Sequence, residues 1–167
     1  ETADKLADKP IVRDPQGELT FLQLIALAGA MRGIIQAETR CDRVGLMLPT
    51  SGAGVATILG SLWAGKTFVP LNYLLAPAEL APIVADAGID LIIGTTHFRE
   101  TLSNLPARVL YFEEMRLKSR CAAGELHKSP PPPDVGPDCV AAIVYTSATT
   151  GRSKGVCLTH DFQPLGR

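Results

Sequence analysis

From Val44 to Gly65 the chain carries no charged residue, a stretch long enough to cross a bilayer if it were one helix. Its interior argues against that. Pro49, Thr50, Ser51 and Gly52 stand near its start, and such residues end a strand and cap a helix. The stretch therefore reads as a central strand over 43–48, a turn, and a helix over 52–64, and the chain as not transmembrane. Val55, Ile58, Leu59 and Leu62 recur on one side of that helix, and Gly54, Thr57 and Ser61 on another. A small-residue side lets a helix pack closely on a sheet.

The same alternation runs through the rest of the chain. Ile11 and Val12, followed by the turn residues Asp14, Pro15, Gln16 and Gly17, predict a short hairpin. Thr20, with Gln23 three residues on, has capping-box spacing. Phe21, Leu24, Ile25, Ala28, Met31 and Ile35 recur at helical intervals and predict an amphipathic helix over 20–37. Gly29 and Gly33 lower its propensity by about 1 kcal/mol each relative to Ala, and close packing is the expected reason for them. Further strands are expected at 67–71, 89–93 and 108–112. Pro77 opens a helix ending at Gly88. A short helix is expected at 97–102 and a helical turn at 113–118. Strands alternating with short helices predict an α/β fold, a layered, parallel-rich, doubly wound sheet with helices on both faces.

The pattern breaks at residues 119–138. Pro130, Pro131, Pro132 and Pro133, then Gly136 and Pro137, read as a stiff, extended connection. The expected organisation is an α/β subdomain over 1–128, a Pro-rich linker over 129–138, and a strand, loop and strand over 139–167 that open a second, incomplete subdomain. Hydrophobic residues make up 46% of 167, enough for a packed core. A net charge of −1 without a basic stripe argues against a nucleic-acid partner. Cys41, Cys121, Cys139 and Cys157 are far apart, which suits a reduced, cytoplasmic protein. His97, His127 and His160 are equally scattered and give a zinc site no support. The first ten residues are charged, unlike a secretory signal, and lack an initiator Met, so a longer product or processing is expected.

Two stretches have phosphate-binding chemistry. Gly60, Gly65, Lys66 and Thr67 fit the pattern G-x-x-x-x-G-K-T. That pattern needs a strand before it and a helix after it, and here the order is reversed. Gly65 reads more simply as a helix C-cap, and a P-loop NTPase through Gly60–Thr67 is the lesser alternative. The second stretch follows the apolar run Val140–Val144. Thr146, Ser147, Thr149 and Thr150 supply hydroxyls, Gly151 and Gly155 supply backbone freedom, and Lys154 supplies a mobile charge. These are the parts that wrap a polyphosphate. Val156, Cys157 and Leu158 then return to an apolar strand.

The segment from Tyr145 to Gly155 resembles the signature loop of the adenylate-forming superfamily, Tyr-Thr-Ser-Gly-Thr/Ser-Thr-Gly-x-Pro-Lys-Gly. It matches at Tyr145, Thr146, Ser147, Thr149, Thr150, Gly151, Lys154 and Gly155, and departs at Ala148 and Ser153. A Cβ at position 148 impairs binding if that position needs φ > 0 or a close backbone approach. Leu62 to Asn72, Leu19 to Leu24 and Arg43 to Pro49 resemble other family elements in family order. The resemblance thus covers nearly the whole chain.

It implies the N-terminal part of an acyl-CoA synthetase or related ligase. A carboxylate attacks the α-phosphate of MgATP to give an acyl-adenylate, and a thiol, commonly coenzyme A, takes the acyl group. Thr146, Ser147, Ala148, Thr149, Thr150, Gly151 and Lys154 would hold the β- and γ-phosphates. The family's Mg²⁺ ligand, acyl pocket and catalytic lysine lie downstream, so no catalytic residue is assigned to this chain. Alone it is expected to be inactive in carboxylate-dependent ATP–pyrophosphate exchange. An exposed apolar sheet face is expected to favour self-association. The alternative is a non-catalytic nucleotide-binding or interaction module.

Overall fold

A computed structural model describes residues 7–115, 117, 133–146 and 153–161. The chain opens with an antiparallel hairpin of β1 (Pro10–Asp14) and β2 (Gly17–Thr20). Helix α1 (Phe21–Glu38) starts as its spacing predicts. The Gln23 N–H donates to Thr20 Oγ1 at 3.3 Å, and the Thr20 N–H donates to Gln23 Oε1 at 2.9 Å.

Six strands follow in one sheet: β3 (Arg43–Met47), β4 (Thr67–Pro70), β5 (Leu91–Gly94), β6 (Arg108–Tyr111), β7 (Val140–Thr146) and β8 (Lys154–Thr159). Their spatial order is β6-β5-β3-β4-β7-β8. Every neighbouring pair is parallel except β7 and β8. The connecting helices are α2 (Gly52–Trp63), α3 (Pro77–Asp86) and α4 (Arg99–Leu102), the last preceded by a 3₁₀ turn at Thr96–Phe98.

Alternation along the central strands feeds two cores. On one face Leu91 and Ile93 pack with Val44, Leu46, Met31 and Ile35 beneath α1 and α2. On the other, Ile92 packs with Met47, Val69, Leu80, Ile83 and Leu102 beneath α3 and α4. Helices on both faces of a parallel-rich sheet are the expected doubly wound arrangement.

The small-residue side of α2 is buried at Gly54, Thr57, Gly60 and Ser61, whereas Val55, Ile58, Leu59 and Leu62 are half-buried. Its closest approach is to a helix rather than to the sheet. A Cβ built at Gly60 would lie 2.7 Å from Met31 Cβ and 2.8 Å from the Ala28 carbonyl oxygen. Gly33 has a different role from the one expected of it. It is exposed, and a Cβ there would meet nothing within 4 Å. Gly29, the other glycine of α1, is buried as expected of it, and on the α2 side Gly60 makes the close contact.

Helix α3 opens at Pro77, and the Ala76 N–H donates to Glu79 Oε2 at 2.9 Å. It continues through Pro82, which offers no N–H and stands exposed. Burial of Leu80, Ile83 and Val84 holds the helix together there. It ends before Gly88 at φ +62. The turn expected at 113–118 appears as a 3₁₀ turn at Phe112–Glu114, with Arg116 and Lys118 outside the described residues. Most of the Pro-rich stretch, residues 118–132, also lies outside them. Among the described residues no helix is long and apolar enough to cross a membrane.

Candidate functional site

Strand β7 enters the sheet beside β4. Phe68 is the register partner of Ala142, and Thr67 Oγ1 donates to the Val140 carbonyl oxygen at 2.8 Å. The strand then pairs along its length with β8, from Val140 opposite Thr159 to Thr146 opposite Lys154. Two loop residues singled out in the sequence thus face each other on the last rung of this ladder. Both are exposed. The pairing brings a hydroxyl and an ammonium group to the two ends of one loop. Ser147, Ala148, Thr149, Thr150 and Gly151 lie outside the described residues. Ser153 is described and exposed.

One rung earlier, Tyr145 faces Gly155. The Tyr145 hydroxyl donates to Asp86 Oδ2 on the last residue of α3. Burial first, and then the Asp86 carboxylate, push the Tyr145 hydroxyl up to about 12. It therefore keeps its proton, and its role as donor, across the neutral range. A Cβ at Gly155 would lie 2.9 Å from Ile143 Cγ2 and 3.2 Å from Tyr145 Cζ. The glycine leaves the space that the tyrosine ring fills.

Sequence reasoning passed over Asp86. A signal was present, since a carboxylate in the last turn of a helix opposes the helix dipole and calls for a partner elsewhere. Arg43 stands close by, with Nη1 donating to the Ala87 carbonyl oxygen at 3.0 Å.

An apolar groove of about 370 Å³ opens beside this hairpin, between Val55, Ile58, Phe68, Tyr73, Val144 and Tyr145. The Walker-like stretch makes no comparable site. Gly60 is buried in α2, Gly65 ends that helix at φ +73, and Thr67 begins β4. The N-terminus of α2 is also taken. The Gly54 N–H donates to Ser51 Oγ at 3.3 Å and the Gly52 N–H to Asp14 Oδ2 at 2.8 Å. The Gly52 and Gln16 N–H groups hold the Asp14 carboxyl below its usual range. Among the described residues no group of three or more His, Cys, Asp or Glu side chains could hold a metal ion.

Known proteins share both the sequence and the fold. A feruloyl-CoA synthase from Amycolatopsis sp is 39% identical over 154 residues, covering 89% of this chain and 30% of that protein. The nonribosomal peptide synthetase vlms from Lecanicillium sp is 40% identical over 148 residues, 86% of this chain and 2% of the relative. The chain thus spans less than a third of the length of these relatives. Among solved structures, VinN in complex with 3-methylaspartate superposes with a TM-score of 0.81 at 23% identity, over 95% of this chain and 45% of VinN. ATP-bound MatB from Rhodopseudomonas palustris superposes with a TM-score of 0.71 at 27% identity, over 92% of this chain and 33% of MatB. The sequence profile of the AMP-binding enzyme family matches residues 1–163, and the chain belongs to that family.

Proposed function

We infer that the protein carrying this chain activates a carboxylic acid with MgATP and passes the acyl group to a thiol. A carboxylate oxygen attacks the α-phosphorus and pyrophosphate leaves. The thiol then displaces AMP from the acyl-adenylate. Such chemistry rests on positioning and charge neutralisation. The observation that carries the reading is the opposition of Thr146 and Lys154 across the ends of a loop with the family's phosphate-binding sequence. Exposed hydroxyl and ammonium donors suit a polyphosphate. In this reading Thr146, Ser147, Ala148, Thr149, Thr150, Gly151 and Lys154 hold the β- and γ-phosphates, and Mg²⁺ accompanies the nucleotide without a ligand from this chain.

The similarity to a feruloyl-CoA synthase supports a hydroxycinnamate-type acid as substrate and coenzyme A as acceptor. Free thiols at Cys41, Cys139 and Cys157 support a cytoplasmic setting. The division at 129–138 belongs to the same reading. Its support is the run of prolines at 130–133 with Gly136 and Pro137.

The test is hydroxycinnamate-dependent ATP–pyrophosphate exchange by the full-length protein. Lys154→Ala is expected to lower exchange on the order of a hundredfold, the scale of one preorganised charge contact. Undiminished exchange in that variant would remove Lys154 from the site. Ala148, standing where the family has Gly, favours a second reading, a nucleotide site that has lost activity. An Ala148→Gly variant that gains MgATP affinity would support it. Equal affinity in parent and variant would count against it.

A further inference from the structure

We propose that Asp86 is a positioning residue for Thr146 and Lys154 as donors to phosphate, acting through Tyr145 and across Gly155. The inference rests on the nucleotide reading of the loop between them. Tyr145 immediately precedes Thr146, and Gly155 immediately follows Lys154. The rung Tyr145–Gly155 therefore supports the rung Thr146–Lys154 from below.

The support needs a fixed point. Strand β8 lies at the sheet edge and is exposed from Lys154 to Cys157, so its placement follows that of β7. Strand β7 is tied to β4 near its start, at Val140 and Ala142. Close to the loop, the hydroxyl bond from Tyr145 to Asp86 ties it to the helical layer, across 59 positions of sequence.

Asp86 is itself held. The Arg43 guanidinium binds the Ala87 carbonyl oxygen next to it, and Ile83, Val84 and Ala87 are buried beneath α3. The Tyr145 ring packs on the same core. It also occupies the space that a side chain at position 155 would need. A displaced ring or a bulkier residue 155 would shift the last rung. The glycine and the tyrosine thus work as one device, with Asp86 as its anchor. This gives an exposed helix-terminal carboxylate a functional reason for opposing the helix dipole.

The test compares MgATP with AMP, which lacks the two phosphates assigned to the loop, by titration calorimetry on the full-length protein. Asp86→Ala and Tyr145→Phe are each expected to weaken MgATP about fivefold, the scale of one net hydrogen bond, and to leave AMP unchanged. The Asp86→Ala, Tyr145→Phe double variant should be no weaker than either single one, because both remove the same bond. Asp86→Asn keeps an acceptor oxygen and should restore most of the MgATP affinity. MgATP affinity unchanged in Asp86→Ala overturns the inference. So does an equal loss for AMP, which would mark a general loss of fold. Lys154→Ala serves as the control. If it leaves MgATP binding intact, the nucleotide reading of the loop fails and takes this inference with it. If it weakens MgATP while Asp86→Ala does not, only the positioning role of Asp86 falls.

Discussion

The carboxylate of Asp14 accepts the Gly52 N–H at 2.8 Å and so caps α2 from 38 positions away in sequence. It also accepts the Gln16 N–H at 2.7 Å, which closes the hairpin turn. One side chain thus joins the opening hairpin to the positive end of a core helix. Its pKa lies below the ordinary 3.8 because these N–H groups favour the charged form. A lowered folded-state pKa adds stability above the unfolded value, and that stability is lost as pH falls through the folded value. Asp14→Asn should therefore be less stable than the parent at neutral pH. The gap should close below pH 3.8. Denaturant midpoints measured against pH test this, and a pH-independent gap would refute it.

Gly60 should tolerate no side chain. Met31 Cβ and the Ala28 carbonyl oxygen both stand closer than 3.0 Å to the space a methyl would need. Gly60→Ala is expected to destabilise by about 2 kcal/mol through overpacking. Lys66→Ala, in the same Walker-like stretch, should stay within about 0.5 kcal/mol of the parent. Calorimetric melting resolves the two. Loss of MgATP affinity in Lys66→Ala would revive the Walker reading.

The Tyr145 hydroxyl offers a spectroscopic handle on the β7–α3 tie. Its pKa is raised to about 12, by burial first and by Asp86 next. A raised folded-state value means that its stabilisation is complete below the ordinary value of 10.0 and disappears as pH climbs toward 12. Asp86→Ala should lower the midpoint of this tyrosine in an ultraviolet titration while leaving it above that of an ordinary phenol, because burial remains, with Tyr145→Phe identifying the signal. A midpoint unmoved by Asp86→Ala would mean that the carboxylate does not hold the hydroxyl.

Pro82 sits inside α3 although it has no N–H to offer the Ala78 carbonyl one turn back. It is exposed, so replacing it leaves no hole in the core. Pro82→Ala is expected to stabilise by about 2 kcal/mol, the interior-proline penalty less the entropy proline removes from the unfolded chain. An unchanged or lower melting temperature would show that the proline sets the path of the helix.

Local chemistry was readable in advance, and non-local geometry was not. Thr20 and Gln23 announce the start of α1 because a capping box is a three-residue interaction. Pro77 and Gly88 bracket α3 for the same reason. Close packing was expected of Gly29 and Gly33 and not of Gly60, because it depends on which faces of α1 and α2 meet, and neither helix records that alone. Likewise, Thr146 and Lys154 are recognisable as donors, but their opposition depends on the β7–β8 register. Asp86 was missed because its partner lies 59 residues away. Its only local mark was a charge on the wrong end of a helix.

The seam between β4 and β7 has a kinetic consequence. Thr67 and Val140 meet across 73 positions, whereas β7 and β8 are joined by a short loop. A hairpin closes in microseconds, but pairing partners so distant along the chain raises contact order and slows folding. The hairpin that carries Thr146 and Lys154 should therefore form early as a free unit and dock late. Until it docks, the outer side of β4 is a bare strand edge, open to pairing with another chain.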